Sequence, residues 1–549
     1  MKRKDGNVVA AGDVARPVAQ GGVSDSPAEK TTGSQGSRVL GARSLALITL
    51  AAVLTLRGMP SVAEYGWSSI AYYLLGALFE LVPLGLVAAE LATTWPESGG
   101  LYAWVREAFG DRSGFLAVWF GWVNNVPYFP TVLAFSATTL AYVIEPSLAG
   151  HKVYLVVAML TIFWSITLAN FLGMKWSARL NNPGVIFGTL LPAAVLIVLG
   201  GYWVLAGRHS AIPFHASKLV PNLDSVSNIV FFVAVLMSFT GMEITGYHAK
   251  ETREPGRTYP RALFQAVVLI IAISILATLA IAFVVPQAKL SLVAGLMQAF
   301  EAFFGALGFG GWATRVMAAL VGVGTLALIG AWILGPAKGL YATEETGDLA
   351  PKLSYVNKRH VPVAILIFQG VLTSIFALLF LFVPSINTGY WMLTALTTQL
   401  VLMMYGMVYA AAIRLRYTQP DVNRPYKIPG GKVGIWIVGG MGLIGSLTAL
   451  VVGFIPPTGV KHWPTPIYVA AIAVGILIST LPPFIIEKVR KPSWRIAHPD
   501  EVLVDVEQAP SAGAATGAGP AAGSAPKANV PSAPTPAPTV DDPERPAGR

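Results

Sequence analysis

Two short stretches of this chain place polar and helix-breaking residues inside otherwise apolar sequence. The first reads Thr55-Leu56-Arg57-Gly58-Met59-Pro60, and the second reads Ser238-Phe239-Thr240-Gly241-Met242-Glu243. Proline has no backbone N–H and glycine tolerates irregular dihedrals, so a helix running through either stretch is expected to open there. An opened helix exposes N–H groups that carry positive partial charge and attract a carboxylate. It also exposes carbonyls that attract an ammonium group or a cation. A zwitterionic amino acid needs both. The pattern predicts a carboxylate met near Gly58, Met59 and Pro60 with Arg57 close by, and an amine met by carbonyls near Ser238, Phe239, Thr240 and Gly241.

The charged residues in apolar surroundings sharpen this reading. An arginine at the centre of a membrane helix costs about 2.5–3.5 kcal/mol even on lenient insertion scales, so Arg57 must face protein or water. Two readings stand: Arg57 meets a substrate carboxylate or replaces a coupling cation, or it forms a structural pair with Glu64, Glu80 or Glu243. Glu243 is either a proton-coupling carboxyl or part of a gate-stabilising ion pair, since a buried carboxyl without a partner titrates near neutrality. Glu90 reads as structural, and Glu80 has no assignable role. Asn124 and Asn125 read as hydrogen-bonding groups between helices or as lining of the path, the structural role being favoured.

Elements that could position these groups follow from composition. The chain has 549 residues, 54% of them apolar and only 12% charged, where soluble domains carry about 25%. Mean hydropathy is +0.61. Apolar runs of spanning length recur from Ser44 to Ile486. Soluble-enzyme, disordered-regulator and nucleic-acid-binding classes are therefore poor fits. Breaks between runs give twelve candidate helices in an all-α membrane domain over residues 44–487, with span 1 at 44–66, span 6 at 227–249 and span 8 at 313–342. The two opened helices are five spans apart, a spacing that fits a 5+5 inverted repeat with two further helices. Around the loops that follow spans 2, 4, 6, 8 and 10 lie 17 Lys and Arg residues, against 6 around the loops that follow spans 1, 3, 5, 7, 9 and 11. The positive-inside rule then puts both termini in the cytoplasm. Residues 1–43 and 488–549 read as solvated cytoplasmic tails, the second rich in Ala, Pro and Gly.

Other chemistries lack their residues. Zero cysteines exclude disulfides and thiolate metal sites. The seven histidines form no metal set, with His248 near the inner end of span 6. Gly431 to Gly434 lacks the spacing of a phosphate loop, and no Ser-His-Asp or HExxH arrangement is present. No enzyme activity, cofactor, metal or nucleic-acid partner is expected.

Three longer segments carry a family resemblance. ELATTWPESGGLYAWV, beginning at Glu90, resembles the segment after span 2 of the amino acid–polyamine–organocation (APC) transporter superfamily. SFTGME resembles that superfamily's span 6 break, and Gly330 to Pro351 resembles the end of its span 8. The chain is most similar to the bacterial glutamate/γ-aminobutyrate antiporters, including EPGRTYPRAL at Glu254–Leu263 and RPYKIPGGK at Arg424–Lys432. The resemblance implies a LeuT-like inverted-repeat fold, amino-acid substrates, alternating access in the bacterial inner membrane, and exchange or proton coupling. It also implies that Trp332 lies against the substrate. Arg57 and Gly58 stand where those antiporters carry aromatic and acidic residues, and Leu328 stands where they carry a glutamate. The C-terminal tail does not resemble their pore-plugging segment. A polyamine carrier of the same fold and a non-transporting amino-acid sensor are the competing readings. Arg57 argues against a multiply cationic substrate, because like charges would meet in a low dielectric.

Overall fold

A computed structural model describes residues 40–96, 100–172, 184–221, 229–243, 252–344, 346–457, 463–491 and 494. Among these there is no strand, only an isolated bridge between Leu40 and Thr252. Ten helices among the described residues are long and apolar enough to cross a membrane. Spans 1 and 6, the two expected to open, have no helix of that length among the described residues. Helix α1 (Ala42–Val53) ends at Leu54, which turns extended, and helix α2 (Met59–Ala63) resumes five residues later. In the second stretch, α8 (Phe232–Ser238) ends at Ser238, and residues 244–251 lie outside the described part. The tails beyond those residues, Glu97–Gly99 of the span 2 motif, Lys175, Arg179 and His248 also lie outside it.

The remaining elements are α3 (Gly66–Thr94), α4 (Leu101–Phe109), α5 (Asp111–Ile144), α6 (Lys152–Asn170), α7 (Ile186–Leu205), α9 (Pro255–Val284), α10 (Gly295–Ala306), α11 (Gly310–Glu344), α12 (Val363–Phe382), α13 (Ile386–Thr418), α14 (Gly431–Val452) and α15 (Thr465–Val489). Helices α4 and α10 are too short to span, and the sequence pattern did not single them out. Burial divides the bundle. The spanning stretches of α5 and α13 are 78% buried, whereas that of α15 is 17% buried. Inner helices therefore carry threonines and tyrosines, and outer helices present Val, Leu and Ile outward. Without a hydrophobic drive between helices in lipid, close packing of small residues matters. On α7 and α11 a Cβ added to Gly188 would lie 2.3 Å from the Gly324 Cα, so the two backbones touch.

Candidate functional site

The two openings abut. A Cβ added to Gly58 would lie 2.7 Å from the Ser238 hydroxyl, so glycine is what admits the end of α8 against the gap between α1 and α2. Past Ser238 the chain turns through Phe239 and Thr240 to Gly241, whose φ of 103° is strained for residues with a side chain. The Ser238 hydroxyl donates to the Ala234 carbonyl (2.7 Å), and the Thr240 hydroxyl donates to the Met237 carbonyl (2.9 Å). Phe239 is fully buried, its ring centroid 5.9 Å from that of Tyr73. On the other side Pro60 stands at the start of α2, and the Met59 amide donates to the Leu56 carbonyl (3.3 Å). The Met59 amide is thus already used within the turn.

Arg57 is 5% exposed and is held by neutral groups. Its Nη1 donates to Thr131 Oγ1 (3.0 Å) and to the Tyr390 hydroxyl (3.3 Å), and Tyr390 donates back to the Arg57 carbonyl (3.0 Å). The guanidinium carbon lies 5.1 Å from the Tyr128 ring centroid and 5.8 Å from that of Tyr390. Its Nε is buried without a hydrogen-bond partner. The structural-pair expectation is not met: Arg57 forms no ion pair with Glu64, Glu80 or Glu243. Cation–π contact contributes about 0.5–2 kcal/mol and leaves the charge itself uncompensated. A buried guanidinium of this kind is chemically suited to an anion.

Trp332 on α11 is half-buried, and its ring centroid is 6.1 Å from that of Tyr128. Trp332, Tyr128 and Arg57 therefore form one contact series. Glu243 closes the far side. Its Oε2 accepts from the Gly241 amide (3.1 Å) and the Tyr405 hydroxyl (2.8 Å), while Gly241 also donates to Tyr405 (3.0 Å). The structure thus brings Gly58 against Ser238, while Arg57, next to Gly58 in sequence, shares Tyr128 with Trp332, and Glu243 shares Tyr405 with Gly241.

Sequence reading passed over α13. Along it Tyr390 meets Arg57, Tyr405 meets Glu243, Tyr409 donates to Glu80 (3.1 Å), and Arg416 pairs with Glu90. At 100° per residue these four positions fall on one face. Their spacing is the signal that would have found them: hydroxyls and one cation at helical period within an apolar run. Glu90 is structural as expected, since Arg416 and Arg424 both pair with it and the Ile428 amide donates to it (2.8 Å). Asn124 and Asn125 do not bridge helices as expected: their side chains donate to carbonyls about one turn back on their own helix, at Phe120 and Gly121.

The profile of the amino acid permease family matches residues 40–478. An uncharacterized transporter of Legionella pneumophila is 42% identical over 455 residues, covering 83% of this chain and 98% of its own length. A glutamate/gamma-aminobutyrate antiporter of Lactococcus lactis is 29% identical over 446 residues, 80% of this chain and 88% of its own. A probable agmatine/putrescine antiporter of the same species is 25% identical over 390 residues, 70% and 81% of the two chains.

Proposed function

Since the chain belongs to the amino acid permease family, we propose that it carries an amino acid across the bacterial inner membrane by alternating access, as an exchanger or a proton-coupled permease. One observation carries the reading: two opened helices abut, and a buried cation with no carboxylate partner stands in one of them. The substrate carboxylate meets Arg57 beside Gly58, Met59 and Pro60. Its amine meets the carbonyls freed around Ser238, Phe239, Thr240 and Gly241. Trp332 covers the bound substrate through Tyr128, and Glu243 gates or titrates at the second opening. The chemistry supports this division, because helix ends of opposite polarity suit the two ends of a zwitterion.

The same reading assigns α1–α2 and α8 to the first helices of two inverted repeats of five, within a twelve-helix membrane domain whose two termini are cytoplasmic tails. The lysines and arginines at the ends of even-numbered spans support that orientation. A polycationic amine is disfavoured at this site, because Arg57 would repel it in a low dielectric. A sensor that binds without transporting would show no accumulation.

Purified full-length protein in liposomes preloaded with single unlabelled amino acids tests this directly. Entry of a radiolabelled amino acid that requires a matching internal one establishes exchange. Entry into empty vesicles driven by a pH gradient establishes proton coupling. Absence of saturable entry for the whole panel, with folded protein, rejects the reading.

A further inference from the structure

Two buried carboxyls lie in the bundle without a cationic partner, and α13 connects them. Glu80 is fully buried in a widened helical turn of α3, Ala77–Leu81. Its Oε1 accepts from Tyr409, and its Oε2 is buried with no hydrogen-bond partner. Glu243 accepts from Tyr405 and the Gly241 amide. Tyr405 and Tyr409 are four residues apart, so their side chains are neighbours on one helix face. No described lysine or arginine forms an ion pair with either carboxyl.

We propose that Glu80 and Glu243, linked through the Tyr409 and Tyr405 hydroxyls, form one proton-binding unit that takes up a proton on one side of the membrane and releases it on the other during transport. The inference rests on the transport reading above. Charge balance supports it. An ionised carboxylate with a bare buried oxygen is costly, and a proton on that oxygen removes the cost. With one proton on the pair, the remaining carboxylate and Arg57 sum to zero. Loss of the proton to water leaves one uncompensated negative charge. Coupled groups of this kind titrate as a pair.

The surroundings leave few other candidates. Helix α14 presents Gly442 and Gly445 to this region, and a Cβ added to Gly442 would lie 2.4 Å from the Tyr409 ring. Its one ionisable residue, Lys432, stacks on Tyr417. Helix α8 carries no ionisable residue, and α9 carries Arg257, Tyr259 and Arg261 in its first two turns only. On α3, Tyr73 shares a hydrogen bond with Thr278 and Tyr72 stacks on Tyr65. The unit also touches the proposed site, because Tyr405 bonds both Glu243 and Gly241. A proton arriving on Glu243 weakens the acceptor that holds the Gly241 amide, which links proton load to the shape of the second opening.

The test uses full-length protein in liposomes enclosing a pH-sensitive dye, with amino-acid counterflow recorded in parallel. Wild type is expected to move protons when a transported amino acid enters. Glu80→Gln is expected to lose that proton movement and keep counterflow, Glu80→Asp to retain both, and Tyr409→Phe to shift the pH midpoint. Infrared spectra give a readout independent of transport: a carboxylic-acid C=O band in wild type, diminished in Glu80→Gln. Undiminished proton movement in Glu80→Gln overturns the proposal, as does the absence of a carboxylic-acid band in wild type. Wild-type exchange without proton movement overturns it and leaves the transport reading standing. A wild type that does not exchange at all rejects the transport reading, and this inference with it.

Discussion

Arg57 is the residue on which the proposed recognition turns. Hydrogen bonds that it donates to Thr131 and Tyr390, and the faces of two tyrosines, fix its direction without neutralising it. A hydrogen bond to a charged group contributes about 1.5–3 kcal/mol, so Arg57→Ala is expected to raise the KM for counterflow by about ten- to a hundredfold. Arg57→Lys is expected to recover part of the loss, because an ammonium keeps the charge and lacks the planar fork. Unchanged KM in Arg57→Ala would remove the residue from the site. The sequence showed Arg57 and its cost in an apolar run. It did not show the partners, because Thr131 and Tyr390 are 74 and 333 residues away and only the fold brings them near.

Helix α13 is the element that organises the interior. Its buried face supplies Tyr390 to the first opening, Tyr405 to the second, Tyr409 to Glu80 and Arg416 to Glu90. The Glu90 cluster ties α3 to α13 and to the Arg424–Lys432 segment, whose Ile428 amide completes it. Removing one partner of a buried ion pair leaves an uncompensated charge and costs about 3–5 kcal/mol. Glu90→Gln is therefore expected to lower the thermal unfolding temperature of the detergent-solubilised protein, and an unaltered temperature would show the pairs to be incidental. Ten of the twelve expected span positions were legible in the sequence, because about twenty apolar residues have few other uses. The openings were legible too, through Gly58, Pro60 and Gly241. The short helices α4 and α10 were not, since neither reaches spanning length.

At the scale of the whole molecule, hydropathy identified a multi-pass membrane protein, and the ten long helices together with the family match agree with it. Contacts between distant segments carry the rest: Gly58 against Ser238, Gly188 against Gly324, Arg57 against Tyr390. No pattern within a single segment encodes such pairs, which is why the two openings were legible and their contact was not. The absence of cysteine from the sequence gives a clean background for locating the substrate. In Ser238→Cys, a variant expected to keep counterflow because the change is nearly isosteric, the new thiol lies where the two openings meet. The decisive measurement is the rate at which a small membrane-permeant thiol reagent modifies it, with and without each transported amino acid. The account predicts marked slowing by transported amino acids and none by those that are not carried. Equal rates with every transported amino acid present, in protein that still exchanges them, would place the substrate elsewhere.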